Sequence, residues 1–470
     1  MNEATRRFVR QHADEDVRML ALRGSKEPGV DLTEALQQIQ GRQAARHKLP
    51  RWAQQPDLLF PPHLAMEQCS SEQAGQYKAS IVQRLISPSS PSSPSSPSSL
   101  SSLSSPSSLS DLSGPSSLSG LSGLSSPSSL SGLSGPSSLS GPSGPIPPTT
   151  LVDLTGGFGV DFSFLAPHFQ KAVYVERQEE LCRIASHNFP FLGLSQAQVV
   201  CGDGTEYLSQ MAHATLIFVD PARRDSHGSR TYGIADCTPD VLALRSLLLE
   251  KADYVMLKLS PMLDWRKTVN DLGREWVREV HIVSVGGECK ELLLVLSASG
   301  EGLRLVCEND GQQFEAAPVA LAAPVAPAAP VAPVAPAALV APLAPVAPAS
   351  PLPYLYEPNA SVMKAGCFAE LCHRFGVSQL APNSHLFASS SPVADFPGRG
   401  FRVERIVSMN KRELRQALAG LSQANITVRN FPLSVAELRK RLKISEGGST
   451  YILATTLANG NHVLAVCQRL

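Results

Sequence analysis

Two low-complexity tracts divide this chain of 470 residues into parts that can fold and parts that cannot. Ser87 to Pro145 repeats Ser-Pro-Ser-Ser and Leu-Ser-Gly units, and such a tract cannot bury enough apolar surface to offset its ordering entropy. Pro318 to Pro353 repeats Ala-Pro-Val, which favours extended polyproline II. We therefore predict a disordered linker over 87–146, a second linker over 316–353, and folded regions over 1–86, 147–315 and 354–470.

Composition sets limits on partners and location. The 41 basic and 41 acidic residues cancel, so no global field attracts nucleic acid and any basic surface must be local. The nine cysteines form no C-x-x-C pair, and Cys367, Cys372 and His373 lack a second ligand pair at zinc spacing. No apolar run reaches about 18 residues. We expect a cytoplasmic protein with reduced thiols, without a metal site, a signal peptide or a membrane span; the oligomeric state is not predicted.

A glycine-rich turn is the first candidate ligand site. Leu151 to Gly159 is an apolar run that meets Asp153 and then a turn, and glycine there lets the backbone approach a ligand closely. A carboxylate just before the turn would repel a pyrophosphate, so Asp153 favours a cationic ligand. S-adenosylmethionine, with its ammonium and sulfonium groups, fits that description. The turn residues that would hold its methionine part together with Asp153 are Thr155, Gly156, Gly157 and Gly159.

Three further predicted strands end in acidic residues. Glu176 closes a strand over 171–175 and would accept the ribose hydroxyls, while Asp203 follows a strand over 198–201 and would receive the adenine amine. Asp220 follows a buried strand over 215–219. Ligands bind outside the carboxyl ends of strands in open α/β sheets, so these residues should converge. Each residue alone also has a structural interpretation, as a helix cap, a solvated strand end or a turn former.

From Leu151 to about Ala298 the chain resembles class I S-adenosylmethionine-dependent methyltransferases, and its flanking motifs resemble the bacterial family with a C-terminal THUMP-like domain. Those motifs are Leu59 to Ser71, Tyr354 to Ala360 and Arg429 to Leu433. The resemblance implies an α/β fold with a Rossmann-like methyltransferase sheet over 147–315, an N-terminal helical region over 1–86 and a C-terminal α+β region. It divides that last region into a ferredoxin-like domain over 354–424 and a THUMP-like domain over 425–470, and it implies RNA as the substrate.

The loop after the fourth strand is the expected acceptor site. Asp220-Pro221 resembles the Asp-Pro-Pro loop of amino and base methyltransferases, which makes Asp220 and Pro221 the candidate catalytic residues and places Asp220 beside the cofactor as well. Ala222 replaces the second proline and no aromatic follows, which weakens the case for an exocyclic-amine substrate. Arg223 and Arg224 indicate an anionic substrate, or else one of them pairs with a carboxylate such as Asp225.

More than one interpretation is open for the reaction type and for the nucleic-acid contacts. Cys237 and Cys289 are the candidate nucleophiles for pyrimidine C5 methylation, but neither lies in a suitable context, so direct transfer is preferred. A basic, aromatic stretch around Arg42 and Trp52 would contact RNA or form a solvated face. Basic residues also gather after Arg399, where an amphipathic helix is expected over 435–442. Methylation of a protein or small molecule, or RNA binding without catalysis, are the other functions considered.

Overall fold

The N-terminal region is helical, as predicted. The computed structural model describes residues 1–87, 148–223, 233–300, 302–316 and 353–470. Both predicted linkers lie, apart from their end residues, outside these ranges. Asp31 caps the longest of the N-terminal helices by accepting the Glu34 N–H at 3.0 Å. The helices are α1 (Glu3–Gln11), α2 (Val17–Arg23), α3 (Leu32–Lys48), α4 (Pro50–Gln54), α5 (His63–Gln68) and α6 (Glu72–Ile86).

The spacing of Phe8, Val9, Val17 and Leu20 predicts one helix over residues 5–22, and the structure has two. Asp16 accepts the Met19 N–H at 2.9 Å and so begins a new helix, while α1 has already ended at Gln11. An aspartate side chain satisfies a free N–H at a helix start better than it fits a helix interior, which explains the break.

The central element is a nine-stranded sheet, which confirms the predicted α/β class. Its strands are β1 (Thr150–Asp153), β2 (Lys171–Glu176), β3 (Ala197–Cys201), β4 (Ala214–Val219), β7 (Ala252–Leu259), β8 (Val277–Val285), β9 (Glu288–Leu296), β10 (Arg304–Asn309) and β11 (Gln312–Ala316), while β5 (Ala222–Arg223) and β6 (Cys237–Thr238) form a separate antiparallel pair. The sheet order is β11-β10-β8-β9-β7-β4-β1-β2-β3, and the five strands β7-β4-β1-β2-β3 are parallel. The sequence predicts an antiparallel pair from the runs over 279–285 and 292–296, and the structure has this pair as β8 and β9.

Helices connect the parallel strands and cover the sheet. The strands β1 and β4 are almost entirely buried, as expected for a parallel sheet between helices. The connecting helices are α7 (Val160–Leu165), α8 (Glu179–Phe191), α9 (Gly204–Gln210), α10 (Val241–Lys251) and α11 (Trp265–Leu272), with short 3-10 turns at Ala166–His168 and Ile234–Asp236.

The C-terminal region forms a second sheet, of seven strands. Its elements are β12 (Tyr354–Pro358), α12 (Ala360–Ala365), α13 (Phe368–Phe375), β13 (Ser378–Gln379), β14 (Phe387–Ser389), β15 (Gly398–Ser408), α14 (Lys411–Ala417), β16 (Asn425–Arg429), α15 (Val435–Leu442), β17 (Thr450–Thr456) and β18 (His462–Arg469). The strand order is β13-β14-β12-β15-β18-β17-β16. The strands β16 and β17 are parallel and flank α15, the helix predicted over 435–442.

Two of the quoted motifs meet in this second sheet. Glu357 is 2% exposed and accepts hydrogen bonds from Arg429, with Nη2 at 2.6 Å, and from the Arg399 guanidinium. The region also packs on the central sheet, since the Trp265 indole donates to the Ala365 carbonyl at 3.3 Å and the Lys364 ammonium to the Leu263 carbonyl at 2.9 Å. These contacts fix the position of the C-terminal region relative to the central sheet.

Candidate active site

The predicted acidic residues converge at one edge of the central sheet. Asp153 and Glu176 end β1 and β2, while Asp203 and Asp220 follow β3 and β4. Because β4, β1, β2 and β3 are neighbouring parallel strands, their carboxyl ends share one edge. The structure therefore brings together four side chains that lie as many as 67 positions apart in the sequence.

The glycine turn has the geometry that only glycine permits. Gly157 and Gly159 have φ angles of 57° and 81°, in the left-handed region. A Cβ on Gly156 would lie 2.2 Å from the Tyr174 ring, so this position admits no side chain. The Gly157 N–H donates to Glu176 Oε2 at 2.8 Å, which ties the turn to the end of β2. The turn therefore keeps backbone N–H groups close to the carboxylates.

Asp153 lies beneath this turn and is 1% exposed. Its Oδ1 accepts the Thr155 N–H at 2.9 Å and lies 3.4 Å from the Thr155 hydroxyl. Burial raises the pKa of Asp153 to about 8, and the carboxylates of Asp161 and Asp220 add to that effect against the hydrogen bond from Thr155. Among the described residues none donates to Oδ2. Asp153 is therefore largely protonated at neutral pH and ionises readily if a cation approaches.

Asp203 has a structural role as well as a place at the edge. It caps α9, since its Oδ1 accepts the Thr205 N–H at 2.8 Å and the Glu206 N–H at 3.3 Å. Its other oxygen has no donor in the described part of the chain. Gly204 is the first residue of α9. A Cβ at this position would lie 2.1 Å from the Leu154 carbonyl oxygen, so the lack of a side chain allows α9 to start this close to the end of β1. Asp203 thus both starts a helix and presents one free oxygen.

Asp220 is held from two sides. Its N–H donates to the Thr155 hydroxyl at 2.7 Å, and its Oδ2 accepts from the Lys258 ammonium at 2.6 Å. Its side chain is 38% exposed, whereas the following Pro221 is buried. Burial raises the pKa of Asp220, and the attraction of Lys258 acts in the opposite direction. Asp220 therefore presents a carboxyl group at the end of β4, and Lys258 already occupies its Oδ2.

The charged residues behind Asp220 are not among the site residues predicted from the sequence. Lys258, at the end of β7, also contacts Asp161 Oδ2 at 3.1 Å, and Asp161 Oδ1 lies 3.0 Å from the ammonium of Lys78. The Lys78 ammonium is fully buried and pairs with Glu291. These contacts join residues 83 or more positions apart and so leave no local sequence signal, although the apolar run over 254–259 predicts the strand that contains Lys258. We call Ser70, Lys78, Asp161, Asp220, Lys258 and Glu291 the ion cluster.

Opposite charges inside the ion cluster hold each other ionised. Burial alone would raise the pKa of Asp161, but Lys258 and Lys78 outweigh it and keep that pKa below its ordinary range. Burial likewise opposes the charge on Lys258, yet Asp161 and Asp220 hold its pKa well above the ordinary value. Asp161 and Lys258 therefore stay charged at neutral pH.

Some predicted substrate contacts receive no structural support. Arg224 and Asp225 lie outside the described residues, and Arg223 is described only as part of β5. In the N-terminal region, Trp52 is 2% exposed and packs on Phe158, so the interpretation that it stacks a base is wrong. Arg42 donates to backbone carbonyls, including those of Gln55 and Pro56 at 3.0 Å.

In the described ranges, no group of three or more His, Cys, Asp and Glu residues is arranged to hold a metal ion. None of the helices described there is long and apolar enough to span a membrane.

Comparisons with known proteins confirm the C-terminal domains. A ferredoxin-like family model matches residues 354–397 and a THUMP domain-like family model matches residues 398–469. The predicted boundary between these domains lies at residues 424 and 425, whereas the two matches meet at 397 and 398. No curated protein matches the chain in sequence.

A solved structure matches almost the whole chain. It is the crystal structure of a "putative methyltransferase from Porphyromonas gingivalis W83", with 29% identity, a TM-score of 0.72, and coverage of 99% of this chain and 97% of that one. A SAM-dependent methyltransferase from Agrobacterium tumefaciens overlaps 32% of this chain and 56% of its own, with 15% identity and a TM-score of 0.24. The chain thus has a methyltransferase fold followed by a ferredoxin-like and a THUMP-like domain at its C-terminus.

Proposed function

We propose that this protein is an S-adenosylmethionine-dependent methyltransferase that methylates structured RNA by direct transfer. The observation that carries the proposal is the convergence of Asp153, Glu176, Asp203 and Asp220 beside a glycine turn at one sheet edge. The likeness over 99% of the chain to the putative methyltransferase from Porphyromonas gingivalis supports the methyltransferase part of this proposal.

The residues at this edge fit the chemistry of the cofactor. Asp153 and the turn formed by Thr155, Gly156, Gly157 and Gly159 would hold its methionine part. Glu176 would accept the ribose hydroxyls with the lone pairs that its bonds to the N–H groups of Gly157 and Gln178 leave free. Asp203 would receive the adenine amine through its free oxygen. When bound, the cofactor supplies an electrophilic methyl group on a positively charged sulfur, and an acidic edge attracts that charge.

Asp220 and Pro221 would orient the acceptor. Asp220 is the exposed member of the ion cluster, and its free Oδ1 can accept a hydrogen bond from the attacking N–H or O–H group. Alignment of the acceptor would supply most of the acceleration. Two cysteines considered as nucleophiles are poorly placed for a covalent route. Cys237 is 5% exposed, and burial raises the pKa of Cys289, which lies on β9 beyond β7.

RNA as the acceptor is supported by a basic surface on the THUMP-like domain. Leu414 of α14 and Leu438 of α15 pack in one apolar cluster, so the two helices cover the same face of the second sheet. Their outward cations are exposed and have no partner among the described residues. Such cations suit phosphate contacts. We call them the basic surface, and they are Lys411, Arg412, Arg415, Lys440, Arg441 and Lys443.

Transfer of a labelled methyl group tests the function. The purified protein and tritiated S-adenosylmethionine are incubated with RNA, DNA and protein fractions from cells that lack the protein. We expect label in RNA, lost in Asp153→Asn and retained in the control Asp271→Asn, whose side chain pairs with Lys267 on α11. Label only in protein or small molecules would place the acceptor elsewhere. RNA binding without label in any fraction would favour a non-catalytic RNA-binding protein.

A further inference from the structure

The ion cluster connects the N-terminal helices to the acceptor side of the site. Ser70, between α5 and α6, has its hydroxyl 2.8 Å from Asp161 Oδ2 and 2.7 Å from Glu291 Oε1. Lys78 on α6 lies 3.0 Å from Asp161 Oδ1, and Lys258 bridges Asp161 to Asp220. A continuous series of charged contacts therefore runs from α6 to the only cluster carboxylate that is well exposed.

Charge and burial in the cluster are uneven. Three carboxylates face two ammonium groups, and every charged side chain except Asp220 is at most 10% exposed. Buried ion pairs add little stability on average, because taking charges out of water costs several kcal/mol per ion. Stability alone therefore does not account for the cluster. Asp220 is the carboxylate through which this negatively charged cluster is exposed, and it lies where the cationic cofactor is proposed to approach.

We propose that Lys258 is a positioning residue for Asp220, and that Ser70 and Lys78 hold Lys258 in place through Asp161, so that the N-terminal helices complete the acceptor side of the site. This inference rests on the proposed function. The 2.6 Å contact with Lys258 uses Asp220 Oδ2, which leaves Oδ1 to accept the hydrogen bond of the acceptor. The positive charge of Lys258 also lowers the pKa of Asp220, against the burial that raises it.

Other titratable groups around Lys258 do not replace it. Cys69 lies near Asp161 and Lys258, and burial raises the pKa of its thiol, so that it stays neutral. Glu291 is a further carboxyl group that raises the pKa of Asp220, and Asp153 is largely protonated at neutral pH, so neither can take the place of Lys258. Lys78 does not contact Asp220 in the structure. Among the described residues, Lys258 is therefore the ammonium group that contacts Asp220 and favours its ionised form.

The test compares Lys258→Met with Lys258→Arg and with Lys267→Met, which removes an exposed lysine on α11 outside the cluster. The methyl-transfer rate is measured against pH at saturating cofactor. We expect Lys258→Met to move the acidic limb of the profile to higher pH by about one unit or more, because an opposite charge at this range lowers a carboxyl pKa by about 1–3 units. In Lys258→Arg the acidic limb should return most of the way to its wild-type pH, and in Lys267→Met its position should be unchanged.

A second measurement needs neither activity nor cofactor. The unfolding free energy of the protein alone is followed by urea denaturation between about pH 8 and pH 5. In Lys258→Met, Asp220 loses its cation and Asp161 keeps only Lys78, so the pKa values of both carboxyls should rise. The wild type already gains stability from Asp153 as the pH falls, whereas Asp161 with its lowered pKa contributes no such gain. The gain between pH 8 and pH 5 should therefore be larger in Lys258→Met than in the wild type. A uniform loss of rate with no shift of either profile would overturn the proposal.

Ser70→Ala and Lys78→Met test the N-terminal part of the proposal. Both should shift the acidic limb in the same direction as Lys258→Met, by less, while S-adenosylmethionine affinity stays within about threefold of the wild type. Ser70→Ala removes no charge and keeps the proposal testable if Lys258→Met does not fold. Profiles identical to the wild type in both variants would refute the role of the N-terminal helices. If the wild type transfers no methyl group at all, the proposed function fails, and the unfolding measurement still decides whether Lys258 controls the carboxyls.

Discussion

At the residue scale, the main feature is an acidic side chain placed where its charge is unfavourable. Asp153 is 1% exposed and has neighbouring carboxylates, and burial raises its pKa to about 8. A folded-state pKa above the unfolded value near 4 means that stability is highest below about pH 4 and falls as the pH rises toward 8. A residue that served only the fold would not need this acid. The cost is consistent with a group kept for binding a cation.

Asp153→Asn should therefore stabilise the protein while damaging the site. The amide keeps an oxygen to accept the Thr155 N–H but cannot ionise. We expect the unfolding free energy to rise by ~1–3 kcal/mol at pH 8 and to change little at pH 4. Urea denaturation at both pH values checks this, with Asp271→Asn as the control. A variant that is less stable than the wild type at pH 8 would show that Asp153 is not strained by its charge.

At the element scale, the sequence predicted the strands better than their side-chain contacts. Short runs ending at or before acidic residues predicted β2, β3 and β4 to within one residue at each end. The continuous apolar sequence of a buried parallel strand accounts for β4, whereas β3 lies at the edge of the sheet and has no buried residue. The ion cluster could not be predicted in the same way. Its contacts join α6, α7, β7 and β9, and no periodic pattern in any one element indicates which partner a lysine will meet. The structural alternative for Asp203 was a turn former between glycines, whereas the structure shows that Asp203 caps α9.

The two helices of the basic surface give a prediction at this scale. Combining Arg415→Gln on α14 with Arg441→Gln on α15 should weaken RNA binding and lower the dependence of log affinity on log salt concentration by about 0.7–0.9 for each phosphate that is no longer neutralised. Binding is measured by fluorescence anisotropy at several salt concentrations. The matched control carries Arg7→Gln and Arg18→Gln, two exposed arginines of α1 and α2 without partners among the described residues. An equal weakening in both variants would show a general effect of net charge.

At the scale of the whole molecule, the motifs outside the central sheet explain how the regions are joined. Leu59 exchanges two hydrogen bonds of 2.9 Å with the Asn188 side chain on α8, and Ser70 enters the ion cluster. The two C-terminal motifs meet through Glu357 and Arg429. These three motifs carry the resemblance to the family. Their contacts give each motif a structural role, because each motif binds one part of the chain to another.

The most direct test of the account is calorimetric titration of the purified full-length protein with S-adenosylmethionine at pH 7, in two buffers of different ionisation enthalpy. We predict saturable binding with release of close to one proton, because Asp153 with a pKa of about 8 is mostly protonated at pH 7 and must ionise to meet the ligand's ammonium group. Asp153→Asn should bind at least about tenfold more weakly, equivalent to ~1.4 kcal/mol, and release no such proton. Absence of binding to the folded wild type at millimolar cofactor would contradict the account.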